Sequence, residues 1–195
     1  MAQTEKLTDY VNPFVGTDGY GNVYPGAQIP FGGIQMSPDT DSRFYDAASG
    51  YKYNHLTLMG FSLTHLSGTG IPDLGDFLFI PGTGEMKLEP GTHEDPDKGY
   101  RSRYSHDKEW ASPNYYAVEL ADYGVKAEMT SGVRSGMFRF TYPESDSAFI
   151  MIDMNHTLWQ SCEWSNLRMI NDSTITGYKL VKAAEKSRNP MNRYQ

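Results

Sequence analysis

The chain has 195 residues and a formal net charge of -7, enough for one domain with a full core and short for most two-domain enzymes. That acidic balance argues against nucleic acid and anionic membrane surfaces as partners. The single cysteine, Cys162, excludes an internal disulfide and reads as a buried, inert thiol.

The first seventy or so residues are rich in Gly, Pro, Asn, Asp and Tyr and offer few strands. A long irregular stretch of this kind in a compact domain is usually functional. The opening, Met1 to Asp9, is polar and lacks the apolar run of a secretory signal. That fits a cytosolic chain or an exported one without its signal.

The first clear strand is Asp76-Phe77-Leu78-Phe79-Ile80, stopped by Pro81-Gly82. Tyr115 to Leu120 forms a second and Val125 to Met129 a third. In the third, Val125, Ala127 and Met129 alternate with Lys126 and Glu128, the period of a half-buried strand. Asp122-Tyr123-Gly124 between them predicts a hairpin with Gly in the left-handed region. Met137–Tyr142 and Ala148–Ile152 follow, parted by Pro143-Glu144-Ser145-Asp146, and then Thr174–Leu180. Short strands with turn chemistry between them predict an all-β, antiparallel sandwich or barrel. Residues 1–9 read as a disordered or non-native N-terminus, 10–181 as the sandwich, and 182–195 as a polar tail, either frayed or the cut edge of something longer. No stretch is long and apolar enough for a transmembrane helix.

Several constellations invite chemistry and fail. Gly16-Thr17-Asp18-Gly19-Tyr20-Gly21 has no preceding strand and no following Lys-Ser/Thr, so it is a turn-rich loop and not a phosphate loop. The histidines at 55, 65, 93, 106 and 156 show no metal-ligand spacing. Ser67, His65 and Asp76 could be drawn as a triad, but no Gly-x-Ser-x-Gly elbow presents the serine. Asp39-Thr40-Asp41 opens like a calcium loop but lacks the required Gly and Glu. A glycosidase needs two carboxylates. Asp39, Asp41, Asp46, Asp73 and Asp76 fall in the loop-rich half, where most are expected to form turns. His65 lies in the hydroxyl-rich Thr64-His65-Leu66-Ser67-Gly68-Thr69-Gly70 and is either a hydrogen-bonded structural residue or part of a sugar site. The 14 tyrosines suit carbohydrate surfaces, although tyrosine also favours strands.

An ordered set of motifs goes further. Tyr10-Val11-Asn12-Pro13-Phe14-Val15-Gly16-Thr17, Tyr24-Pro25-Gly26-Ala27-Gln28-Ile29-Pro30-Phe31-Gly32 and Gln35-Met36-Ser37-Pro38-Asp39-Thr40 are followed by Ser49-Gly50-Tyr51-Lys52-Tyr53. Then come Gly60 to Gly70, Asp73-Leu74-Gly75-Asp76, Tyr104 to Glu109, Tyr115 to Leu120, and Glu128-Met129-Thr130 with Arg134 and Gly136. From about Tyr10 to Tyr178 the chain resembles the N-terminal domain of glycoside hydrolase family 92, the calcium-dependent exo-α-mannosidases.

The resemblance implies a β-sandwich of the galactose-mutarotase-like supersandwich type, followed by a catalytic α-helical barrel absent from this chain. It implies inverting hydrolysis of mannose-containing glycans, with an α-1,2-mannosidase-like activity. The general acid, general base and most calcium ligands would lie in the barrel. No catalytic residue and no metal ligand is then expected in this chain, which alone would be inactive. It also implies a periplasmic or secreted enzyme of N-glycan degradation, with no nucleic-acid partner and no membrane insertion. The sandwich would contribute sugar-contacting residues: Tyr45, Asp46, His65 and Ser67. Where the family often has Trp-Asp-x-Cys, this chain has Tyr45-Asp46-Ala47-Ala48, which keeps an aromatic face of a different shape. Pro113-Asn114-Tyr115 replaces Pro-Gly-Tyr, and Asn tolerates the same left-handed backbone. A second reading, from another class, is a free-standing, non-catalytic carbohydrate-binding or interaction sandwich.

Overall fold

The computed structural model describes residues 6–42 and 47–182. The 1–9 leader and the 182–195 tail lie largely outside the described residues, and Tyr45 and Asp46 lie wholly outside them. Among the described residues there are twelve strands: β1 (Ser37–Asp39), β2 (Thr57–Leu58), β3 (Gly60–Ser62), β4 (Leu78–Gly82), β5 (Ser102–Arg103), β6 (Glu109–Ser112), β7 (Tyr115–Leu120), β8 (Val125–Ser131), β9 (Gly136–Thr141), β10 (Phe149–Asp153), β11 (Ser161–Asn171) and β12 (Thr174–Lys182).

Two four-stranded sheets, ordered β1-β3-β4-β10 and β6-β7-β8-β9, form the body. Two ribbons, β2-β5 and β11-β12, complete the set, and every strand pairing is antiparallel. Among the described residues no sheet closes into a barrel, which decides between the two architectures that the strand pattern allows.

The core forms because inward side chains of the two sheets meet. Tyr116, Val118 and Leu120 of β7 and Val125, Ala127 and Met129 of β8 are buried with Met36, Leu58 and Phe61. Phe61 of β3 faces Phe138 and Phe140 of β9 at ring separations of 6.3 and 6.2 Å. Burying each such large apolar side chain contributes about 1.5–3 kcal/mol.

The period-2 expectation for β8 holds at the apolar positions. Glu128, on the opposite side, is also buried, because Arg139 donates to it at 2.7 Å and the Tyr115 hydroxyl at 2.7 Å. The predicted hairpin stands between β7 and β8, with Gly124 at φ +64°. Asn114 adopts φ 58° between β6 and β7, and its side chain exchanges hydrogen bonds with Ser131. Cys162 is half-buried rather than buried. No helix among the described residues is long and apolar enough to cross a membrane.

Candidate functional site

The irregular first third is held in place by a buried polar centre. Asp39, at the end of β1, accepts from three side chains. His65 Nε2 lies 2.8 Å from Oδ1; His156 Nε2 lies 2.8 Å and Ser62 Oγ 2.6 Å from Oδ2. His65 Nδ1 lies 2.6 Å from the Gln35 carbonyl oxygen. Burial alone would raise the Asp39 carboxyl. The facing His65 and the hydrogen bond from His156 outweigh that and hold it well below the usual carboxylate range.

Around this centre the chain between β1 and β2 is closed by its backbone. The Gly50 carbonyl accepts from Thr40 N at 2.7 Å and Asp41 N at 3.2 Å. The buried Arg101 guanidinium donates to the Thr40 carbonyl at 2.6 Å. Thr40 Oγ1 accepts from Lys52 N at 2.9 Å. Asp41 lies 3.1 Å from His93 Nε2, and His93 Nδ1 lies 2.8 Å from Thr57 Oγ1. Both ends of the segment that carries Tyr45 and Asp46 are therefore fixed.

A second buried carboxylate ties the far side of this loop to the sheet. Glu109 accepts from Tyr51 Oη at 3.0 Å and Tyr116 Oη at 2.5 Å, and lies 2.6 Å from His106 Nδ1. Burial first, and the Glu109 charge with it, drives the Tyr51, Tyr104 and Tyr116 hydroxyls far above the usual phenol range. Burial also raises Tyr24 and Tyr100. A folded-state pKa above the unfolded one gives stability that is present below about pH 10 and lost as pH rises. We therefore expect these five of the 14 tyrosines to stay protonated at about pH 11. An ultraviolet titration of the folded protein should count at most nine tyrosinates there, the rest appearing on alkaline unfolding.

The site residues expected from sequence fall in different places. Tyr45 and Asp46 lie outside the described residues. His65 is 2% exposed, with both ring nitrogens engaged in the buried centre. Ser67 is exposed and lines a groove of about 260 Å³ with Asn12, Tyr24, Gln28, Ser112 and Asn114. Tyr24 links the two: its ring lies 5.0 Å from that of His65, and its hydroxyl donates to Gln28 Oε1.

The carboxylates of the N-terminal half act mostly across the fold. Asp76 pairs with Lys179 at 2.9 Å and accepts from Thr64 Oγ1 at 3.1 Å. Asp73 accepts from Leu74 N at 2.7 Å, a local turn bond, and from Gln160. Ser62, His65 and Asp39 mimic a triad, but Ser62 and Asp39 share the Nε2 side of the imidazole and all three are buried. They cannot present a nucleophile. Of the partners of Glu109 only His106 is local, three residues away, while Tyr51 and Tyr116 are 58 and 7 residues away from it, so the sequence does not signal its burial.

Calcium fits poorly on the described part. No group of three or more His, Cys, Asp or Glu side chains among the described residues could hold a metal ion. The Asp39 oxygens already face two imidazoles and a hydroxyl.

An antiparallel sandwich that spends its buried charge on fixing surface loops is a scaffold for loop presentation. The profile of the glycosyl hydrolase family 92 N-terminal domain matches residues 10–194. The chain belongs to that family.

Among solved structures, a family 92 α-mannosidase from Bacteroides thetaiotaomicron is 98% identical, with a TM-score of 0.91 over 93% of this chain and 24% of its own. The same enzyme has been solved in complex with mannoimidazole. A family 92 inverting mannosidase from the same species is 29% identical, with a TM-score of 0.64 over 78% of this chain and 20% of its own. A secreted glycosidase of Arthroderma benhamiae is 29% identical over 140 residues, covering 71% of this chain and 18% of the relative. The chain spans about a quarter or less of the length of these relatives.

Proposed function

We propose that this chain is the N-terminal domain of an inverting exo-α-mannosidase that releases mannose from mannose-containing glycans. The observation that carries the reading is the 98% identity to an α-mannosidase over 93% of the chain. In this reading the acid, the base and the calcium ion belong to the remainder of the enzyme, an α-helical barrel. The ion's chemistry there would be to grip the sugar and stabilise developing charge. The domain described here supplies walls. The secreted relative supports a periplasmic or secreted enzyme, and mannose-containing glycans, N-glycans among them, are the substrate class, with an α-1,2-mannosidase-like activity.

Tyr45 offers its ring to the C–H face of the sugar, and Asp46 accepts from ring hydroxyls. Ser67 offers its exposed hydroxyl from the groove that it lines. His65 contributes indirectly, through the buried centre that it forms with Asp39.

The test is Tyr45→Ala in the full-length enzyme. Loss of a stacking face together with its burial should lower kcat/KM roughly tenfold or more, each 1.4 kcal/mol being about a factor of ten. The melting temperature should stay nearly unchanged. A large fall in melting temperature with normal turnover per folded molecule would make Tyr45 a core residue and remove it from the site. Absence of mannose release by the wild-type full-length enzyme would end the mannosidase reading.

A further inference from the structure

The sheet β6-β7-β8-β9 has an outer face that the core does not use. The register sets it. Trp110 pairs with Ala117, Ala117 with Glu128 and Glu128 with Arg139, so these four share one row across the sheet. Glu119, Lys126 and Thr141 form the next row on the same face. Their strand neighbours Val118, Ala127 and Phe140 point the other way and pack in or against the core. Trp110 is 44% exposed on this outer face.

The polar side chains of this face are fixed before any ligand arrives. Arg139 donates to the Glu128 carboxylate from Nε at 2.7 Å and from Nη2 at 2.5 Å, and the Tyr115 hydroxyl donates to it at 2.7 Å. The Lys126 ammonium lies 5.6 Å from the centre of the Trp110 ring. Lys126 also lines a cleft of about 610 Å³ with Arg103, Lys108, Glu119 and Thr141, so the ring and the cleft are neighbours. That volume falls within the roughly 300–1,000 Å³ of small-molecule sites. The charges there are balanced. Arg103 pairs with Asp97 and Asp122 at 2.9 Å each, Lys108 with Glu119 at 2.5 Å and Lys126 with Glu128 at 3.7 Å. A phosphate or a nucleic acid would meet no surplus of positive charge. A neutral sugar would meet donors and acceptors side by side for its hydroxyls, and an aromatic ring for its C–H face.

We propose that the outer face of the β6-β7-β8-β9 sheet is a binding site for a neutral glycan chain, with one sugar ring on Trp110 and the next in the cleft beside the β7–β8 hairpin. There the hydroxyls exchange hydrogen bonds with Lys126, Glu119 and Thr141. Because the ion pairs already hold these side chains in place, little conformational freedom is lost when the sugar binds. The face holds the chain and breaks no bond in it. The neutral-sugar class follows from the aromatic ring and the balanced charges, and the choice of mannan as the probe rests on the mannosidase reading.

Affinity electrophoresis of the full-length enzyme through gels containing α-mannan tests this. The wild-type enzyme should be retarded, and Trp110→Ala should weaken that affinity roughly tenfold or more, as truncation of a central interface Trp does. Turnover of a small aryl α-mannoside should stay unchanged. Thr141→Tyr fills the cleft from an exposed position and should weaken retardation with the Trp110 ring intact, so the result does not hang on the folding of one variant. Retardation equal in the wild type and both variants would overturn the proposal, and so would its absence in the wild type. Retardation by dextran sulfate and not by mannan would overturn it in favour of an anionic ligand. A dimer that Trp110→Ala dissociates, without retardation in mannan, would overturn it in favour of a second copy as occupant. Hydrolysis of the aryl mannoside by the wild-type enzyme reports the functional reading separately. An active enzyme without retardation sinks only the glycan face, and retardation without hydrolysis sinks only the mannosidase.

Discussion

Asp39→Asn is expected to lower the unfolding free energy by about 3–5 kcal/mol, the usual cost of breaking a buried charged contact by removing one partner. The carboxylate presents two acceptor oxygens to His65 Nε2, His156 Nε2 and Ser62 Oγ. An amide presents one oxygen and turns an NH2 towards one of the imidazoles. His65 cannot adapt by switching tautomer, because its Nδ1 faces the Gln35 carbonyl, which only accepts.

The pH dependence of this effect has a definite sign. The folded-state carboxyl lies below its unfolded value, so its contribution is present above about pH 4 and is lost progressively as the pH falls. Urea midpoints should therefore differ widely between wild type and variant at neutral pH, and the gap should narrow on acidification. A gap that is small at neutral pH, or constant with pH, would show that Asp39 is not held as a buried carboxylate.

The hairpin β7–β8 was legible in the sequence because alternation and a left-handed Gly124 agree on one register. The fourth strand is displaced from its expected span of 76–80 to 78–82 because Pro81 does not end it. Pro81 pairs with Ile150 on one side, while β3 meets β4 only at Phe79 on the other, so the missing N–H is tolerated at a locally open edge. The eleventh strand has no clean period, because Trp164 and Leu167 fall on opposite faces within an unbroken stretch of register. The strands β1, β2, β3, β5 and β6 span two to four residues, too short for a pattern to emerge.

The buried centre escaped for a different reason. Asp39 meets partners 26 and 117 residues away, and a long-range partner leaves no local trace. From the sequence most of Asp39, Asp41, Asp46, Asp73 and Asp76 are expected to form turns, yet Asp39, Asp41 and Asp76 do more than that. Their partners are instead side chains brought in by the fold. The proposed sugar-contacting role of Tyr45 and Asp46 rests on motif resemblance alone. Composition and periodicity reach only an antiparallel sandwich with a loop-rich, aromatic surface.

Gly50→Ala should act through the same centre by overcrowding it. Gly50 sits at φ +86°, where a side chain is strained, and an added Cβ would lie 2.0 Å from Asp39 Oδ1 and 3.2 Å from the His65 ring. The left-handed backbone costs about 1–2 kcal/mol for a residue with a Cβ. Overpacking a filled site adds about 1–3 kcal/mol. Relief by moving Asp39 would break its contacts to His65 and His156, and relief by moving Gly50 would break the Thr40 and Asp41 amide bonds that close the loop. Either response disturbs the residues that flank the segment carrying Tyr45 and Asp46, so on the proposed reading turnover per folded molecule of the full-length enzyme should fall along with stability.

A double-mutant cycle separates crowding from backbone strain. Asp39→Ala removes the oxygen that the new methyl would strike. Gly50→Ala added to Asp39→Ala should then cost only the backbone part, and the two effects should fall short of their sum by about 1–3 kcal/mol, in the range found for residues in contact. Strict additivity in urea midpoints would mean that Gly50 is required for its backbone conformation alone, and that the carboxylate it faces is free to shift.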